Sequence, residues 1–181
     1  MRVDKSGFSA RHLTYAAMYL ALALLLPFVT GQIPQIGALL CPMHLPVLLC
    51  GMICGPFWGA AVGFVAPLLR GTLFGMPVLF PTGVAMAFEL MTYGLASGLL
   101  LRLLPRKPGM TLVSLVLAML MGRIVWGCVH LVLAGLSHGE FTWALFLAGA
   151  FTNAVPGIVL QLVLIPPLTL AMERAGLSLN R

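Results

Sequence analysis

Apolar runs long enough to cross a bilayer follow one another from His12 to Met172, and that succession leaves few folds open to the chain. Hydrocarbon holds no water to pair with backbone groups, so a spanning segment is either a helix or part of a closed barrel. The runs here have helical length, about 20 residues for an upright span. Hydrophobic residues make up 61% of the 181 and charged residues 8%, where soluble domains carry roughly a quarter charged. The sequence therefore reads as an all-α polytopic membrane bundle in one domain, residues 1–181. About six helices are expected, at roughly 12–29, 43–54, 56–70, 81–104, 110–136 and 143–172. The first run is expected to stay attached, because Arg2, Asp4, Lys5 and Arg11 lead into it and no small-residue cleavage site follows.

The stretch from Cys41 to Arg70 organises the rest. Pro42, Met43, His44 and Leu45 open a run to Cys54 that is too short to span alone. Gly55-Pro56 signals a turn, and proline is tolerated in the first turn of the next helix because its missing N–H would have no partner there. Within that helix Gly55, Gly59 and Gly63 recur every four residues, a nearly bare face that another helix can approach closely. Ala17 and Ala21 make a similar small face on the first span. Arg70-Gly71 is expected to close the third span. The two loops at about 30–41 and 71–81 are too apolar for free linkers and are expected to fold back over the membrane face.

The formal charge of +6 does not point to nucleic acid, because the basic residues sit at span ends. Arg2, Lys5 and Arg11, then Arg102, Arg106 and Lys107, then Arg174 and Arg181 gather on one side. Arg70 stands alone at a boundary on the other. The positive-inside rule then puts both termini in the cytoplasm. Cys41, Cys50, Cys54 and Cys128 have neither disulfide nor metal spacing and read as small buried hydrophobes.

Ionisable groups within spans are costly in a bilayer and usually face a cavity or a partner. Glu89 lies about 12 Å in from Pro81 at helical rise, and Arg123 is central in the fifth span. Helical spacing adds Thr82, Met86, Tyr93 and Ser97 to the Glu89 stripe and Trp126, Gly127 and His130 to the Arg123 stripe. Asn153, Gly157 and Gln161 form a third on the last span. Two readings follow. Glu89 and Arg123 pair with each other in a packed bundle. Alternatively they line a ligand pocket open to the outside, with Glu89 accepting N–H groups and Arg123 holding an anion or carbonyl. In that pocket Asn153 supplies a donor and an acceptor, and Trp126 or Tyr93 stacks on a ring. His130 belongs to the same set. His44 and Arg70 could reach the pocket mouth, against a capping histidine and a snorkelling arginine.

Catalytic sets are missing from the sequence. A single intramembrane glutamate without a paired acid or His-x-x-x-His spacing argues against a metalloprotease. No serine sits in a Gly-x-Ser-x-Gly setting, and no phosphate-binding glycine loop with lysine is present. No enzymatic activity, metal or cofactor is expected of the chain itself.

The chain size, the span number and the Ala17-x-x-x-Ala21 face go with two longer segments. One is Pro42-Met-His-Leu-Pro-Val-Leu-Leu-Cys-Gly51, leading to Gly55-Pro56 and Gly59; the other is Phe80-Pro-Thr-Gly-Val-Ala-Met-Ala-Phe-Glu-Leu-Met-Thr-Tyr-Gly94. Together they resemble the substrate-binding S components of energy-coupling factor (ECF) transporters, over nearly the whole chain. The resemblance implies a subunit of the prokaryotic cell (inner) membrane that captures a vitamin or similar micronutrient from outside. It implies delivery inward with a membrane scaffold subunit and two ATPase subunits, which hydrolyse the ATP. Spans one to three, with Ala17, Ala21, Gly59 and Gly63, would meet the scaffold, and the later helices with the outer loops would enclose substrate.

Within that family the sequence looks closest to the branch linked with queuosine or queuine salvage, where a carboxylate pairs with guanine-like N–H groups. Pantothenate-type S components share the Met-His-x-Pro motif, and for that acid Arg70 or Arg123 would lead. Two other classes stay open on the residues alone. A self-sufficient secondary transporter or channel could use Glu89, although about six spans without an internal repeat are few for alternating access. A small membrane enzyme could use His44, Glu89 or His130.

Overall fold

The computed structural model describes residues 9–29, 40–105, 109–136 and 155–180. Every regular element among them is helical. These are α1 (Ala10–Val29), α2 (His44–Cys54), α3 (Pro56–Phe74), a π-helical turn (Leu79–Gly83) leading into α4 (Val84–Leu103), α5 (Met110–Leu136) and α6 (Val155–Arg174). Five segments, counting α4 from Leu79, are long and apolar enough to cross a membrane, and α2 is the short one. This is the expected all-α membrane bundle. The start of the last expected span, 143–154, lies outside the described residues, as do most of the first loop and Arg2, Lys5, Arg106, Lys107 and Arg181.

Helix α4 is the centre, in contact with α2, α3 and α5; α1 lies on α2 and α3, and α6 on α2 and α5. All of α2 except Leu45 is buried. Its 11 residues reach only about 16 Å, half of a hydrocarbon layer about 30 Å thick. A piece that short is tolerated where protein rather than lipid surrounds it.

Glycines let these helices touch backbone to backbone. A side-chain carbon on Gly51 of α2 would collide with the Gly94 carbonyl of α4, and one on Gly94 with the Gly59 carbonyl of α3. One on Gly98 would meet the Gly51 carbonyl, and one on Gly63 the Leu90 carbonyl. The Gly59 and Gly63 stripe expected at a partner interface is therefore occupied inside the protein, because α4 backbone already fills the space beside it. Ala17 and Ala21 are exposed on α1, away from the stripe of Ala16, Tyr19, Ala23 and Pro27 that packs inward.

The expected stop at Arg70-Gly71 is not where α3 ends. The helix continues to Phe74 and closes at Gly75, whose φ of 71° is left-handed and whose N–H reaches the Gly71 carbonyl at 3.1 Å. Gly71 serves crowding instead of turning: a side-chain carbon there would come within 2.9 Å of the Pro77 carbonyl. The second loop is correspondingly shorter than expected.

At the other end of α6, Gly176 (φ 70°) reverses the chain. Its N–H bonds the Glu173 carbonyl at 3.1 Å and the Leu177 N–H bonds the Met172 carbonyl at 3.0 Å, the double bond of a Schellman-type stop. The tail then crosses the junction of α2 and α3. Leu179 N–H donates to the Ile53 carbonyl at 2.7 Å. The Asn180 amide accepts from Arg102 Nε and donates to the Gly98 carbonyl at 3.1 Å.

The glycine contacts predict a graded response. Gly94→Ala should lower stability by about 1–3 kcal/mol, and Gly94→Leu should prevent recovery of monodisperse protein. Gly135→Ala on α5, with nothing within 4 Å of the added carbon, should leave the thermal unfolding midpoint in detergent unchanged.

Candidate functional site

Helix α4 carries Glu89 and, one turn on, Tyr93. Glu89 is 1% exposed, and its Oε1 gathers three neighbours. Arg123 Nη1 comes from α5 at 2.9 Å, the Tyr93 hydroxyl donates at 3.0 Å, and His44 Nε2 at the start of α2 stands 3.7 Å away. The last distance exceeds hydrogen-bond reach. Gly122 makes the α4–α5 approach possible, since any side chain there would overlap the Tyr93 ring. The His44 ring lies against the same tyrosine, with centroids 5.3 Å apart. A buried charge pair holds only when further hydrogen bonds support it, and Tyr93 supplies one.

Cys41 links the cluster to α6. Its φ of 46° is uncommon for a residue other than glycine, and the turn it makes lets one carbonyl serve two donors. That carbonyl accepts from the His44 N–H at 3.0 Å and from Gln161 Nε2 at 3.5 Å, while the sulfur accepts from Arg123 Nη2 at 4.0 Å. Burial pushes the Cys41 thiol up from its ordinary pKa, with the neighbouring Arg123 guanidinium pulling the other way. The sulfur is therefore a protonated thiol at neutral pH.

Four buried atoms of this cluster have no hydrogen-bond partner among the described residues: both ring nitrogens of His44, Arg123 Nε and Gln161 Oε1. Buried polar atoms are nearly always paired. Here they come from α2, α5 and α6 and surround one carboxylate.

Of the residues to which the sequence points, Glu89, Arg123, His44 and Tyr93 are brought together. Trp126 and His130 lie further along α5, ring on ring at 4.2 Å, with His130 Nδ1 3.3 Å from the Trp126 carbonyl. Asn153 lies outside the described residues. Arg70 is elsewhere: its Nη1 donates to the Leu24 carbonyl of α1 at 2.6 Å, and its guanidinium stands over the rings of Phe28 and Phe74 at 5.1 and 5.4 Å. It is buried, so the pocket mouth and the snorkelling arginine both give way to a clamp between α1 and α3. Gln161 was legible in the stripe with Asn153 and Gly157. Cys41 gave no signal beyond standing three residues ahead of His44.

The family described as ECF transporter, substrate-specific component, matches residues 11–169. The chain belongs to this family. No curated protein and no solved structure gives a match. An S component is the substrate-binding subunit of an ECF importer and not its catalytic part. S components bind small molecules and work with a scaffold subunit and ATPases.

The geometry makes the ion pair of this S component testable. Arg123→Ala leaves Glu89 buried without its cation and should cost about 3–5 kcal/mol, whereas Tyr93→Phe should cost about 1 kcal/mol. Replacing both charges, Glu89→Gln with Arg123→Gln, should cost less than Arg123→Ala alone. Unfolding midpoints of the four variants in detergent give the comparison.

Proposed function

We propose that this S component captures a small water-soluble micronutrient from outside the cell at the cluster of Glu89, Arg123, His44 and Tyr93. It then delivers the molecule inward with a scaffold subunit and two ATPase subunits. The observation that carries the reading is the set of unpartnered atoms on His44, Arg123 and Gln161. A site that served packing alone would satisfy them, and a ligand with matching groups satisfies them in its place.

Orientation follows the same logic. The start of α1 meets the start of α3, where His12 stacks on Trp58 at 6.3 Å, and the tail covers the α2–α3 junction. Arg11, Arg102 and Arg174 share that end, which the positive-inside rule assigns to the cytoplasm of a prokaryotic cell (inner) membrane. The cluster lies toward the opposite end, where α2 and α4 begin, and is reached from outside. The exposed Ala17 and Ala21 face of α1 is the surface offered to the scaffold, since small residues allow close helix contact. A deazaguanine of the queuine type leads among ligands by resemblance, with pantothenate next.

Native mass spectrometry of protein from cells grown in rich medium should show a stoichiometric small-molecule adduct. His44→Leu should lose that adduct yet keep the unfolding midpoint, since the imidazole makes no hydrogen bond to lose. Ala17→Trp should keep the adduct and block uptake in cells carrying the partner subunits. A wild-type protein that stays bare after incubation with a panel of micronutrients would refute the capture function.

A further inference from the structure

We infer that the part of the ligand entering the cluster is uncharged and presents an N–H donor beside a carbonyl acceptor, as the lactam edge of a purine-like ring does. This rests on the capture function proposed above. Charge decides the first half. The cluster holds one carboxylate and one guanidinium, Glu89 and Arg123, 2.9 Å apart, so its fixed charges cancel. Among the described residues no second arginine faces it. Arg70 is held by the Leu24 carbonyl between Phe28 and Phe74, Arg102 is bound to Asn180, and Arg11 and Arg174 lie at the far ends of α1 and α6. A ligand carboxylate would have to draw Arg123 off Glu89 and strand that carboxylate, or enter without a counter-charge. Either leaves a buried charge unbalanced, which is strongly unfavourable.

The unpartnered atoms decide the second half. Arg123 Nε has a hydrogen to give and Gln161 Oε1 has lone pairs to receive one, while a neutral imidazole at His44 offers one of each. Donors and acceptors are therefore balanced. A carboxylate brings acceptors only, leaving Gln161 Oε1 and the accepting nitrogen of His44 unmet. An ammonium brings donors only, leaving Arg123 Nε and the donating nitrogen unmet. A ring lactam carries N–H and C=O side by side and answers both kinds. The open-chain amide of pantothenate is trans, with the two groups on opposite sides, and the molecule ends in a carboxylate.

The test uses the full chain in detergent at pH 8, where an ordinary imidazole is neutral, with 7-deazaguanine and pantothenate as probes. Binding is followed by thermal shift titration and native mass spectrometry. 7-Deazaguanine should bind at least about tenfold more tightly than pantothenate. A smaller preference, or the reverse, overturns the inference and leaves the capture function standing. If neither probe binds, the co-purified molecule decides: one with an uncharged lactam-like edge supports the inference, and one without it overturns the inference. Protein that binds neither probe and carries no adduct refutes capture itself, and the inference with it.

Discussion

The structure depends on backbone touching backbone where α2, α3 and α4 meet. Lipid tails are as apolar as leucine, so burying apolar side chains gives membrane helices little reason to associate; close packing and interhelical hydrogen bonds do that work. Gly51, Gly59, Gly94 and Gly98 bring carbonyls of neighbouring helices to where side chains would otherwise be. Ser97 adds polar links at the same contact, its hydroxyl donating to the Leu48 carbonyl at 3.3 Å while its own carbonyl accepts from Ser114 at 3.2 Å. A helix as short as α2 is held by this contact, not by the membrane.

That arrangement fixes the binding cluster. Because α2 is locked against α4, the imidazole at its first residue stands beside Glu89. Because Gly122 accepts the Tyr93 ring, α5 comes close enough for Arg123 to reach the same carboxylate. The ion pair is thus assembled before any ligand arrives, and its neutrality lets the empty site persist in a medium of low dielectric. What is left open is hydrogen-bonding capacity, and in that currency an S component distinguishes one small molecule from another.

Much of this was legible in the sequence. Scarcity of charge gave the membrane bundle, and the Gly55-Pro56 break gave the short α2. The three stripes gave Glu89, Arg123, Tyr93 and Gln161, because a polar residue in an apolar helix has few reasons to be there other than a partner. Other features depend on which neighbour a face meets, which periodicity does not encode. The glycine stripe at Gly59 and Gly63 has the same pattern whether it meets a partner subunit or α4. Arg70 has the same neighbours in sequence whether it lies at a cavity mouth or between Phe28 and Phe74. Gly71 and Gly75 are equally able to end a helix, and crowding by Pro77 at the first leaves the second to do so. Cys41 matters through a left-handed turn and a carbonyl, neither of which side-chain identity reveals.

The tail at Leu179 and Asn180 bears on how the protein can be handled. Asn180 is buried against α4 and sits over the left-handed Gly55, where a side-chain carbon would come within 3.2 Å of its amide oxygen. Only Arg181 follows it in the sequence. An affinity tag or fluorescent reporter joined there would hang one residue from a buried anchor, and any pull on it would be felt where α2, α3 and α4 converge. Labels joined ahead of Ala10 avoid that anchor.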